Sequence, residues 1–74
     1  MIQRKIKKAI MNVNPGITSE LVGLERGRGE VWVKRSLVAK VDKDGEWEIL
    51  DTIQKYDIDL IRLREAVLAA LAQS

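Results

Sequence analysis

The chain has 74 residues, of which 46% are hydrophobic and 32% are charged, with a formal net charge of +2 and neither histidine nor cysteine. This length allows one small domain, residues 1–74, and the aliphatic content excludes a disordered chain. Without histidine or cysteine the commonest general base, the thiolate nucleophile and nearly all zinc chemistry are missing. We therefore expect no enzyme activity, catalytic residue, metal, cofactor or small-molecule substrate.

The charge is distributed unevenly along the chain. Residues 1–40 carry nine Lys and Arg against three Glu, whereas residues 41–74 carry four against eight Asp and Glu. Such an asymmetry is typical of a basic binding face with an acidic remainder. Chance clustering in a short chain produces the same pattern, and the sequence leaves both interpretations open.

The first segment, residues 2–13, predicts an amphipathic helix. Ile2, Ile6, Ile10 and Val13 recur at spacings of four, four and three, and an Asn-Pro-Gly sequence follows them. This spacing places the four side chains on one face of a helix. A strand is the alternative, because β-branched residues dominate that face.

Residues 18–26 predict a strand that turns back through Gly27-Arg28, with a short helix ending at Gly27 as the competitor. The turn would pair Val22 with Val33, Leu24 with Val31 and Glu20 with Arg35.

Residues 31–41 alternate in the manner of one long, half-buried strand. Arg35 interrupts the apolar side of the alternation, which indicates a bend, a sheet margin or a partner in Glu20. The two predicted faces are Val31, Val33, Leu37, Ala39 and Val41 on the core side, and Trp32, Lys34, Ser36, Val38 and Lys40 on the outer side.

The next turn is decided by register. A two-residue loop at Asp44-Gly45 would mix apolar and charged faces, whereas a three-residue loop, Lys43-Asp44-Gly45, keeps them apart. The second register pairs Val41 with Trp47, Ala39 with Ile49 and Lys40 with Glu48, and it makes Trp47 a core residue.

The C-terminal segment, residues 56–74, predicts a helix with Asp57 as N-cap, Asp59 at the positive end of the dipole, and Tyr56 packed on Ile61. Residues 66–72 are all apolar, and such a run covers the whole helix circumference. Either another helix or a second copy must cover its second side. We expect a homodimer, and its interface residues are Leu60, Leu63, Val67, Leu68 and Leu71.

Together these elements predict an α+β fold with an N-terminal helix, a three-stranded antiparallel sheet, and a C-terminal helix packed on one sheet face. The longest apolar run is far too short to span a membrane, and the N-terminus has the charges of a signal peptide without its apolar stretch. We expect the protein to be cytoplasmic.

Cations beside an aromatic side chain are the elements of nucleic-acid binding, because cations follow the phosphate backbone and bases stack on the ring. Four of the thirteen Lys and Arg residues, with a tryptophan, lie within residues 25–35. The predicted nucleic-acid-binding residues are Arg26, Arg28, Trp32, Lys34, Lys40, Lys5 and Lys8. The order of basic strands followed by a C-terminal helix is similar to that of the single-strand binders of the positive cofactor four type, a resemblance of architecture that transfers no motif residue.

The alternative function is a protein-interaction or assembly module without a nucleic-acid role. Trp32, Val38 and the apolar helix would then form a subunit interface, and the exposed cations would protect strand edges from aggregation.

Overall fold

A computed structural model describes residues 2–25 and 29–73. It has two layers, a four-stranded antiparallel sheet in the order β1-β2-β3-β4 and a pair of helices that share one core with one sheet face. The elements are α1 (Ile2–Val13), β1 (Val22–Glu25), β2 (Glu30–Val33), β3 (Ser36–Val41), β4 (Trp47–Ile49), a 3-10 helix (Asp51–Tyr56) and α2 (Leu60–Ala72). The α+β class and both terminal helices are confirmed, but the sheet has four strands rather than three.

The N-terminal helix has the predicted bounds. Ile6, Ala9 and Ile10 are buried between α1, the sheet and α2. Near its first turn, the side-chain amide of Gln3 donates to the carbonyl oxygen of Glu25 at the end of β1, over 3.2 Å. This contact places the start of α1 beside the end of β1.

The predicted long strand is wrong, because residues 31–41 form two strands joined at Lys34-Arg35. Both turn residues have left-handed backbones, with φ of 47° and 72°. Two successive positive φ values give the turn that suits a two-residue hairpin. It pairs Val33 with Ser36, so β2 and β3 become neighbours.

A β-bulge explains why the strand pattern nevertheless continued through this turn. Val31 pairs with Ala39 but Trp32 pairs with Leu37, so Val38 is an extra residue in β3. The turn reverses which side of the sheet alternate residues face, and the bulge reverses it again. The three residues between these reversals, Ser36, Leu37 and Val38, were therefore assigned to the wrong faces, since Ser36 pairs with the buried Val33. Val38 is fully buried, and Leu37 lies half-buried opposite the outer residue Trp32.

The β3–β4 hairpin confirms the predicted register, with Val41 opposite Trp47, Ala39 opposite Ile49 and Lys40 opposite Glu48. Gly45 closes the loop with a φ of 84°, a conformation that glycine adopts without strain. Asp42 holds the loop, because its Oδ1 accepts hydrogen bonds from the backbone N–H of Asp44 and of Glu46 at 2.9 and 3.0 Å.

The β1–β2 pairing is also confirmed, with Val22 opposite Val33 and Leu24 opposite Val31. The predicted turn at Gly27-Arg28 lies outside the described residues. Glu20 and Arg35 both lie in turns beyond the paired strands. The N–H of Lys34 donates to the carbonyl oxygen of Leu21, which continues the register toward them, and both residues line one groove.

Gly29 marks a close approach between the start of β2 and the end of β3. Its φ is +63°, and a Cβ at this position would overlap Cγ1 of Val41. The carbonyl oxygen of Gly29 also accepts a hydrogen bond from the N–H of Val41 at 2.7 Å. A side chain at this position would therefore collide with β3.

The C-terminal region begins with the 3-10 helix, which the sequence did not predict. Its Ile53 is fully buried, and Asp57 ends it with a left-handed φ of 56°. Asp59, rather than Asp57, is the N-cap of α2, because its side chain accepts from the N–H of Ile61 and of Arg62. The predicted packing of Tyr56 on Ile61 is wrong, since Ile61 is 72% exposed.

The other face of the apolar run in α2 is partly covered by α1. Ala66 and Ala70 line a groove between the helices together with Ala9. Leu68 nevertheless remains 67% exposed. Among the described residues, neither helix combines the length and the hydrophobicity that a membrane span requires.

Candidate nucleic-acid interface

The outer sheet face carries a charged row that is mainly acidic. Glu25, Glu30, Lys40 and Glu48 lie side by side on the four strands, in register. Cross-strand neighbours lie about 5 Å apart. Lys40 is therefore surrounded by carboxylates, and the charged row would repel phosphate. The signal was present in the sequence, because the register that pairs Leu24 with Val31 also pairs Glu25 with Glu30.

Trp32 lies on the same outer face, opposite Gly23 on one side and Leu37 on the other. Its side chain is half-buried, and its indole N–H is enclosed without a hydrogen-bond partner among the described residues. A stacking platform needs an open ring face. Trp32 therefore offers less of a platform than the strand pattern predicted.

Lys34 lies in the β2–β3 turn rather than beside Lys40 on the sheet. Its Nζ lies 5.8 Å from the centroid of the Tyr56 ring, within the range of a cation–π contact. The ring is fixed in turn by its hydroxyl group, which donates to the carbonyl oxygen of Val33 at 3.0 Å. Lys34 is thus an exposed cation held at one end of the sheet.

The most basic described surface is the solvent-facing side of α1. Arg4 and Lys8 are exposed, and Lys5 and Lys7 are half-buried. At 100° per residue these four side chains span about 160° of the helix, opposite the buried residues. The helix contains no acidic residue. We call these four residues the basic face of α1; two of them, Arg4 and Lys7, were not among the predicted binding residues.

A groove continues this surface toward α2. Lys5, Lys8 and Asn12 line its α1 side, and Ala66 and Ala70 line its α2 side. Small side chains on α2 leave space beside the two lysines, so an anionic group can approach both. Two of the predicted binding residues are thus brought together here.

The remaining predicted cations, Arg26 and Arg28, lie outside the described residues. Glu25, which precedes that segment, receives the hydrogen bond of Gln3 from α1.

The predicted binding residues do not form one surface. Lys5 and Lys8 lie on the helix layer, which packs on one face of the sheet, whereas Trp32 and Lys40 lie on the opposite face. A single strand of nucleic acid following the sheet would not contact α1.

The predicted oligomer-interface residues also fall into two groups, one buried in the core and one closer to the surface. Leu60, Leu63 and Val67 are 8%, 0% and 4% exposed and form part of the protein's own core. Their side chains cannot contact a second copy without unpacking that core. Leu68 is exposed, and Leu71 is half-buried at the edge of the core.

A second groove, between β4 and α2, was not predicted. Its apolar lining comes from three elements, and we call it the β4–α2 groove: Ile2, Trp47, Ile49, Val67, Leu68 and Leu71. Trp47 is half-buried in this groove rather than enclosed in the core. The sequence contained one indication of this groove, because the apolar run of α2 covers the whole helix circumference. Since α1 and the sheet cover only part of that circumference, Leu68 remains exposed.

The chain matches no protein-family model, and comparison with the curated proteins and with the solved structures found no match.

Proposed function

We propose that the protein binds nucleic acid through the basic face of α1 and does so without enzymatic chemistry. The observation that carries the proposal is the concentration of four cations, and no carboxylate, on the exposed side of one helix. Each cation that contacts a phosphate releases condensed counterions, which drives binding.

The burial of the opposite side of α1 favours nucleic acid over a lipid surface. A basic amphipathic helix binds membranes by inserting its apolar side into the headgroup region. In this fold Ile6 and Ile10 are fully buried beneath the sheet and α2. The apolar side of the helix is therefore not free to insert, and its exposed side carries the cations, which suits a phosphate backbone rather than acyl chains.

The test is fluorescence anisotropy of labelled single- and double-stranded oligonucleotides at about 50 and 200 mM salt, where counterion release has a large effect. Three or four phosphate contacts on duplex DNA would weaken binding by about 40- to 150-fold over this range. A salt-independent affinity would contradict the proposal.

Two double variants with the same change of charge locate the surface. Arg4→Glu with Lys8→Glu should weaken binding at least about tenfold and reduce the salt slope by about 2, because each change removes a phosphate contact. Lys34→Glu with Lys40→Glu, also at exposed positions, is the matched control and should retain binding. Circular dichroism verifies that both variants are folded.

If the two double variants bind equally well, binding by α1 is refuted. A wild-type protein that binds neither oligonucleotide at 50 mM salt would refute nucleic-acid binding itself and favour a protein-interaction module.

A further inference from the structure

The β4–α2 groove lies along a sheet edge that is open among the described residues. β4 is the last strand in the sheet order, with β3 as its one neighbour. Leu50 donates to the carbonyl oxygen of Val38, and Asp42 donates to that of Glu46. Residues that bond to β3 alternate along an antiparallel strand with residues whose backbone groups point away. Trp47 and Ile49 occupy the alternate positions, so their backbone groups face the open edge.

α2 forms the other wall of the groove and is held at a distance from the edge. The guanidinium group of Arg64 spans the gap and donates to the carbonyl oxygen of Ile49 at 3.1 Å. Leu68 lies beyond Arg64 on the same wall and is 67% exposed. The groove therefore combines a strand edge, on which Arg64 holds the carbonyl oxygen of Ile49 while the backbone groups of Trp47 point outward, with aliphatic surface on the other side. A strand edge and pockets for alternate side chains are the two requirements for binding an extended segment as an added strand, and such a segment would replace Arg64 at Ile49.

The charge around this edge is strongly acidic. Residues 42–51 contain five carboxylates and one lysine. In an added strand, side chains opposite Trp47 and Ile49 would point toward α2, and the side chain opposite Glu48 would point to the outer face. The side chains opposite Trp47 and Ile49 must therefore be apolar, and a cationic side chain is favoured opposite Glu48.

A second copy of β4 fits this edge poorly in the two antiparallel registers that pair Trp47 with Ile49 or with its own counterpart. Two copies of β4 paired with Trp47 opposite Ile49 would set Glu48 of each copy directly opposite the other. Pairing Trp47 with its own counterpart would set Glu46 opposite Glu48. Like charges in these positions are destabilising.

We propose that the β4–α2 groove binds an extended segment of a partner protein, in which aliphatic residues alternate with lysine or arginine, as a fifth strand of the sheet. The partner's aliphatic side chains contact Leu68 and Trp47, and its cation lies opposite Glu48. This binding is independent of the basic face of α1, which belongs to a different surface.

The experiment uses the ¹⁵N-labelled protein and a capped heptapeptide of alternating lysine and valine as the probe. Its twin of alternating glutamate and valine has the same apolar side chains and the opposite charge. We expect saturable shifts of the amide resonances of Trp47, Ile49 and Leu68 and of the Trp47 indole N–H. The twin should bind at least about tenfold more weakly, because it places like charges opposite Glu48.

Matched variants of the protein separate the groove from general attraction to an acidic surface. Leu68→Gln should weaken binding about tenfold, since truncating a central apolar contact has effects of that size. Ile61→Gln is its control, because Ile61 is 72% exposed on the same helix and does not line the groove. Glu48→Gln should weaken binding, whereas Glu25→Gln, in the same charged row on β1, should not.

The proposal is overturned if the lysine–valine peptide causes no shifts at millimolar concentration, or if the twin binds equally well. Equal binding by the Leu68→Gln and Ile61→Gln variants would also overturn it. So would sedimentation of the free protein as a dimer that Leu68→Gln dissociates, because the occupant would then be a second copy.

Discussion

Replacing Leu63 with alanine should cost far more stability than the same replacement at Leu68, five residues later on α2. Leu63 is fully buried, and Leu68 is 67% exposed. Removing a fully buried leucine side chain costs about 2–5 kcal/mol, including the cavity that remains. Leu68 has about a third of its surface buried, so its loss should cost at most about 1 kcal/mol. A domain of this size has a total stability of about 4–11 kcal/mol, so Leu63→Ala brings it close to unfolding.

Urea denaturation followed by circular dichroism measures both changes. A loss of about 3 kcal/mol lowers the midpoint by about 1–3 M urea. Each protein is measured at two concentrations, because a core that is shared between subunits gives a midpoint that rises with concentration. Equal losses for the two variants, or a concentration-dependent midpoint that Leu63→Ala abolishes, would refute the assignment of Leu63 to the core of a single chain.

Three further changes test the local backbone. Gly29→Ala should destabilise the protein by about 2–4 kcal/mol in urea denaturation, because the added Cβ meets Val41 and the φ of this residue is left-handed. Gly23→Ala is the control, because a Cβ at that position meets no atom within 4 Å. Its free energy of unfolding should stay within about 0.5 kcal/mol of the wild-type value. Arg35→Gly should raise the melting temperature, because glycine adopts the left-handed φ of 72° at this position without strain. The expected gain in the free energy of unfolding is about 0.5–1 kcal/mol. A lower melting temperature would contradict the two-residue turn. Asp59→Ala should cost about 1 kcal/mol in the same assay through loss of the N-cap, and an unchanged stability would show that the cap contributes nothing.

The sheet shows why a strand pattern can be right about faces and wrong about topology. The turn at Lys34-Arg35 and the bulge at Val38 each reverse the alternation of side chains, so their effects cancel for Ala39 and Val41. Periodicity alone cannot distinguish this arrangement from one straight strand. Arg35 was the visible signal, since a charged residue interrupted the apolar side at the position of the turn.

The site was harder to predict than the fold, because a surface depends on how elements meet. The sequence identified Lys5, Lys8, Lys34 and Lys40 as available cations, but it contained no direct measure of which sheet face the helices would cover. Helix packing on the inner face separates the first two lysines from Lys40. The apolar groove has the same origin, because it follows from the angle and distance between β4 and α2 rather than from either element alone.

The order of the strands has a consequence for how the chain folds. Each strand pairs with its successor in the sequence, so every hairpin closes over a short loop at little entropic cost. The pairing of α1 with α2 instead joins segments separated by residues 14–59. Contacts between distant segments tend to be the slow ones to form. We therefore expect Ala9→Gly, at the seam between the helices, to accelerate unfolding in stopped-flow experiments more than it slows refolding.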